Sequence, residues 1–295
     1  MTRIQHVSTI GLALALSGCV DTGQDRATIP LRLAGTAVTE PFAGANDWAI
    51  ELERAELAFG PLYLCAGAQA GALCDTARLE WVDSAVVDAL APDPREAGEL
   101  TGVTGPVRSW MYELGITSLL TQQRPLMLSA ARDLGGNSLL VSGVARKDAH
   151  LVPFRIELAI QQEQATEIGV SVVRKSGSDA FYHDVTGAEA ALLVRFDPRP
   201  WVRDVDFQSL VEDAACAPGG ARIVCAGATE LTCTDESSEG QRDCAALGMV
   251  CLPGSGCTDR VTFAPESQGH RAVRAALVAG QRPAFEWSDA TSSQL

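Results

Sequence analysis

Val152, Phe154, Ile156, Leu158 and Ile160 alternate with Pro153, Arg155, Glu157 and Ala159. A period of two puts every second side chain on one face, so this stretch can bury its apolar set only as a strand in a sheet. The same period recurs along the chain. Leu31 and Leu33 alternate, as do Trp48, Ile50 and Leu52. After Leu52 the apolar phase slips by one residue, to Ala55, Leu57 and Phe59, which predicts a β-bulge near Glu53–Arg54. Gly60–Pro61 then punctuates the run. Further strands are predicted over Leu79–Val87 (with a short helical turn over Ser84–Leu90 as the alternative) and over Leu100–Leu114, with a bend at Gly105–Pro106. Leu139–Ala145 follows the turn signal Gly135–Gly136–Asn137, and Leu192, Val194 and Phe196 stop at Asp197–Pro198. Ile168–Arg174 is placed to pair with Val152–Ile160 as a hairpin, through the polar Gln161–Thr166.

Helical signals are few. Ser267 can cap a helix whose Val273, Ala276 and Leu277 share a face and which Gly280 ends; Phe285 and Trp287 then form a last strand. Short strands without long helical crossovers predict a mainly β fold: an antiparallel β-sandwich with one C-terminal helix.

The cysteines add a second constraint. There are nine among 295 residues. Cys65 and Cys74 flank a small-residue loop. Cys216, Cys225, Cys233, Cys244, Cys251 and Cys257 crowd a segment poor in large apolar residues, which needs staples in place of a core. Residues 216–257 therefore read as a small disulfide-rich insertion in a sandwich made of 28–215 and 258–295. The six are expected to pair among themselves, leaving Cys65–Cys74 separate. Zinc is disfavoured because the cysteine gaps exceed the usual close spacing, and no Cys-x-x-Cys occurs.

The ninth cysteine, Cys19, follows Leu16, Ser17 and Gly18 behind the apolar run Val7–Leu16 and the basic Arg3. This resembles the lipobox of bacterial lipoproteins. The resemblance covers residues 1–19 alone. It implies that 1–18 are a signal peptide, that Cys19 is lipidated and that 19–27 form a lipidated tether. It also implies export and a lipid anchor in the outer membrane, on its periplasmic or surface face. Removing Cys19 from the count leaves eight, the even number that an oxidising compartment predicts.

A net charge of −14 repels nucleic acid and anionic headgroups, so the membrane is expected as a partner only through lipid on Cys19, and nucleic acid is excluded. Asp235–Gly240 has part of a calcium-loop pattern, but Ala246 stands where the closing glutamate belongs; a solvated acidic loop is the preferred reading. Of His150, His183 and His270, His183 beside Asp184 is the most site-like and a weak metal candidate, with a loop or edge histidine as the preferred reading; His270 is a solvated residue of the helical first turn. Trp48, Trp81, Trp110, Trp201 and Trp287 could line a sugar-binding face, but core packing is their default. No Gly-x-Ser-x-Gly, His-Glu-x-x-His, phosphate loop or dinucleotide fingerprint occurs. No catalytic residue or cofactor is assigned. The leading reading is a non-enzymatic envelope lipoprotein that binds a protein or small ligand or helps organise the envelope. The alternatives are a periplasmic metal-binding protein and a secreted hydrolase of envelope polymers.

Overall fold

The computed structural model describes residues 24–67, 74, 76–117, 126–160, 174–177, 181–211, 215–220, 222–234, 237–280 and 282–289. Residues 1–18, Cys19 and most of the tether lie outside them.

The chain is mainly β. The larger sheet has eight strands, in the spatial order Arg174–Gly177, Ser109–Glu113, Leu62–Cys65, Ala77–Trp81, Arg95–Val103, Arg26–Ala34, Glu189–Arg195 and Ala284–Asp289. The second is built on Ala49–Phe59, Leu139–Lys147 and His150–Leu158, with Phe42–Ala43, Ala85–Asp88 and Val261–Thr262 at its margins. Both sheets feed one hydrophobic cluster. Ile29, Leu64 and Leu79 enter it from the first sheet, and Ile50, Leu57, Phe154 and Ile156 from the second.

The predicted bulge is present. Ser142 faces Arg54 and Gly143 faces Leu52, so Glu53 is the unpaired residue. The extra residue lets Ile50 and Leu52 on one side, and Ala55 and Leu57 on the other, all point into the core. Gly143 sits opposite it, where a Cβ would collide with the Glu51 carbonyl.

Ala49–Phe59 ends at the corner where the chain passes from one sheet to the other. Gly60 has φ +111°, and a Cβ there would run into the Asp83 carbonyl oxygen. The next peptide, Gly60–Pro61, is cis, and Leu62 starts a strand of the larger sheet. The corner is tied by Gly60 N–H donating to Glu113 O, Gly115 N–H to Gly60 O, and Glu113 N–H to Pro61 O, each at 3.0 Å. Phe59, fully buried, fills the space behind it. Its ring lies 5.1 Å from Tyr112, 5.1 Å from Phe196 and 6.1 Å from Trp81, so one side chain contacts aromatics from across the sandwich.

Several sequence expectations need correction in detail. The sheets are mixed: Arg26–Ala34 runs parallel to Glu189–Arg195, and His150–Leu158 runs parallel to Val261–Thr262. These partners are so far apart in sequence that no short crossover is needed to join them. Leu79–Val87 is two strands in different sheets, and the second, Ala85–Asp88, replaces the helical alternative. The first strand begins inside the stretch read as tether, with Ala27 buried. Arg174–Gly177 pairs with Ser109–Glu113; the rest of the strand expected over Ile168–Arg174, and its hairpin with Val152–Ile160, lie outside the described residues.

The cysteine-rich segment forms a three-stranded sheet of Ile223–Ala226, Thr229–Thr234 and Ser237–Asp243, beside the hairpin Val250–Leu252/Gly256–Thr258. Its disulfides are Cys216–Cys233, Cys225–Cys251 and Cys244–Cys257, with Cys65–Cys74 separate. Cys225, Cys244 and Cys251 form its small interior, while Val250 reaches the main core. The expected acidic loop is in part an exposed edge strand, Ser237–Asp243; Asp235 and Glu236 are not described. After the segment the chain returns through Val261–Thr262 to the Gln268–Ala275 helix, whose cap is Ser267 accepting from His270 N–H.

Replacing Phe59 with Ala removes a buried ring between the sheets and is expected to destabilise the protein by about 3–5 kcal/mol. Urea unfolding would show a lowered midpoint with an unchanged slope.

Candidate functional site

His183 opens the short strand His183–Val185, which pairs with Gly105–Val107. Successive side chains of a strand face opposite ways. Asp184 is exposed on one side, while His183 turns to the other and meets Glu189. His183 Nε2 lies 3.1 Å from Glu189 Oε1. Glu189 is the first residue of Glu189–Arg195, and its side chain is only 2 % exposed.

The loop between them explains how a carboxylate is held there. Thr186 N–H and its hydroxyl donate to Oε1 at 2.8 and 3.1 Å, and Gly187 N–H donates to Oε2 at 2.9 Å. Gly187 takes φ +82°, the left-handed conformation that lets the tight loop close. Burial pushes the Glu189 carboxyl up. The backbone donors, His183 and the Thr186 hydroxyl outweigh it, so the group sits below its ordinary range and is ionised at neutral pH.

The imidazole is fixed from a second direction. Trp287, on the edge strand Ala284–Asp289, stacks on it at 4.0 Å with an interplanar angle of 10°. Two residues back on the same face, Phe285 lies 5.0 Å from Phe181 and 5.4 Å from Trp110. The result is a half-buried aromatic ledge along the sheet edge, ended by an imidazole bound to a buried carboxylate. Tyr182 stands out beside it, 66 % exposed. A carboxylate that takes Nε2 sets the tautomer and leaves Nδ1 as the nitrogen Glu189 does not engage. With Nε2 donating to the carboxylate, the Nδ1 lone pair can accept a hydrogen bond.

Sequence reasoning picked His183 but paired it with Asp184, which faces the wrong way. The true partners, Glu189 and Trp287, were missed as partners. One signal was present: an acidic residue after Thr186–Gly187–Ala188 at the head of an apolar strand has the layout of a carboxylate capping its own turn. Of the five tryptophans, Trp48, Trp81, Trp110 and Trp201 are 0–5 % exposed and belong to the core. Trp287 is the exception. His150 is half-buried, 6.4 Å from the Trp48 ring. His270 is 8 % exposed, which overturns its reading as a solvated residue. Among the described residues, the trio of potential metal ligands close enough to share an ion is Glu230, Cys244 and Cys257. Its sulfurs are joined in a disulfide, and Glu230 accepts from Cys257 N–H at 2.7 Å. Cys19 lies outside the described residues.

No protein-family model, curated protein or solved structure matches the chain. The site is therefore read from its own chemistry.

Glu189→Gln keeps the shape but removes the charge that three donors and His183 solvate. The depressed carboxyl contributes stability that is complete above the unfolded pKa, about 4.3, and lost as pH falls through the lower folded value. The variant is expected to be less stable by about 1.5–3 kcal/mol at pH 7. The difference should shrink below about pH 4, measured by urea unfolding at pH 7 and pH 3.

Proposed function

We propose that this protein is an exported lipoprotein, held in the bacterial outer membrane by acyl chains on Cys19, whose sandwich is a non-enzymatic binding module. The observation that carries the reading is the cysteine pairing. Eight cysteines are consumed in four disulfides, and the ninth is the one that stands in the lipobox-like sequence. Disulfides on this scale belong to an oxidising compartment. A cysteine beyond those eight, set in a lipobox-like sequence, is what lipidation calls for. Two or three acyl chains on one residue hold a protein stably, since each buried methylene adds about 0.8 kcal/mol.

The ledge of Phe181, His183, Phe285 and Trp287 is the part of the surface we assign to contact with an envelope component. The described contacts of His183 favour binding over hydrolysis: a carboxylate and an indole surround it, and neither is an alcohol or thiol to be activated.

Expression in a Gram-negative host tests the anchor. The protein is expected in the outer-membrane fraction with an N-terminal peptide carrying diacylglycerol mass, and Cys19→Ser in the soluble periplasmic fraction with the disulfides intact. A Cys19→Ser protein that fractionates like the parent overturns the proposal.

A further inference from the structure

The tether and the His183 ledge lie at the same end of the sandwich. Arg26–Ala34 starts with Arg26 facing Val103, and the next residue, Thr104, donates its N–H to Asp25 O at 2.9 Å. Arg78 Nη1 donates to Gln24 Oε1 at 2.6 Å. Gly105–Val107 follows Thr104 directly and carries His183–Val185, with Val185 facing Gly105. Gly187 sits beside the Thr104 methyl group. Glu189–Arg195 runs parallel to Arg26–Ala34 and so starts at this end too. Tyr182 and His183 are therefore neighbours of the point where the chain from Cys19 enters the domain, and Trp287 joins them through its stack on His183.

Chain length sets how far that point can stand from an anchored Cys19. Gln24 is five residues on from Cys19, a separation that even a fully extended chain spans in at most about 18 Å. A domain of this length has a radius of gyration of about 18 Å and is roughly 48 Å across, so one resting on a surface has its equator about 24 Å up. The equator lies beyond the reach of the tether. The half of the domain that receives the chain is thus the half that faces the lipid, and the ledge is in it.

The surface there suits a lipid interface. Tyr182 is 66 % exposed, and Phe181, Phe285 and Trp287 are half-buried beside it. Tyrosine and tryptophan have an apolar body and a polar edge, which favours the boundary between headgroups and acyl chains. A net charge of −14 opposes contact with anionic headgroups over the molecule as a whole. At this end, among the described residues, Arg26, Arg78 and Arg108 offset Asp25, Asp184 and Asp289.

We propose that the envelope component this ledge contacts is the lipid surface itself. Tyr182 and Trp287 rest at headgroup level, and the domain is held in one orientation on the membrane by its own aromatics as well as by the acyl chains. This contact presupposes the Cys19 anchor proposed above.

Tryptophan fluorescence of the acylated full chain tests the contact, in vesicles of phosphatidylethanolamine and phosphatidylglycerol with and without brominated acyl chains, since bromine quenches only nearby indoles. Trp287 is the native reporter, because the other four tryptophans are 0–5 % exposed. The parent is expected to float with the vesicles and to lose emission in the brominated ones, and Trp287→Phe is expected to abolish that loss. Tyr182→Trp should add a further loss. Val82→Trp should add none: Val82 is 63 % exposed and follows Trp81 at the opposite end of Ala77–Trp81. A parent that carries no acyl mass or does not float overturns the anchor and this contact with it. A parent that is acylated and floats overturns the contact alone if it shows no loss, if the loss survives Trp287→Phe, or if Tyr182→Trp is quenched no more than Val82→Trp.

Discussion

Everything in this fold depends on one turn of chain, from Phe59 to Leu62. Two sheets that share a core must be joined somewhere by a strand that leaves one and enters the other, and the join must not leave buried peptide groups unbonded. Here Gly60 makes the change of direction with a backbone conformation closed to other residues. The hydrogen bonds to Glu113 and Gly115 then satisfy the groups the turn frees. Phe59 converts the join into a packed contact, touching Tyr112 in the opposite sheet and Phe196 after the last large strand. The residues around it come from distant parts of the chain, so the corner is held by contacts that only the assembled sandwich supplies.

The cysteine-rich segment meets a different constraint. Its interior is largely sulfur, Cys225, Cys244 and Cys251, because a sequence of glycine, serine, threonine and acidic residues has little else to bury. A cross-link works chiefly on the unfolded chain: for the 26-residue Cys225–Cys251 separation it is worth about 3–4 kcal/mol on the chain-entropy account. Three such links together supplement the hydrogen-bonded strands of a span with little apolar surface to bury. The segment also hands the chain back in place, since Val250 anchors it in the main core shortly before Val261 joins His150–Leu158.

Much of this was legible in the sequence because the information is local. Period-two alternation marked the strands, and the single phase slip after Leu52 placed a bulge near Glu53–Arg54, where Glu53 is the unpaired residue. Cysteine crowding separated the six-cysteine set from Cys65–Cys74. What was not legible was pairing between distant elements. Nothing near Arg174 says that its partner is Glu113, and nothing near Arg26 says that it will run parallel to a strand more than a hundred and fifty residues on. The candidate site fails for the same reason. His183 was visible as a polar residue in an apolar neighbourhood, but the side of the strand it occupies is set by its pairing with Val107, and Trp287 reaches it only because the last strand docks beside Glu189–Arg195.

The two buried-side histidines show how far environment outweighs residue type. His183 faces an ionised carboxylate that is itself held by backbone amides, so its position, tautomer and hydrogen bond are all specified. His270 has Glu266 and Arg274 pulling in opposite directions and no partner at Nδ1. The first is a finished interaction, which rigidifies the sheet edge and presents a fixed surface. The second, among the described residues, is left incomplete at Nδ1 inside the protein, so burial without a partner keeps that ring neutral where the first is locked to a carboxylate.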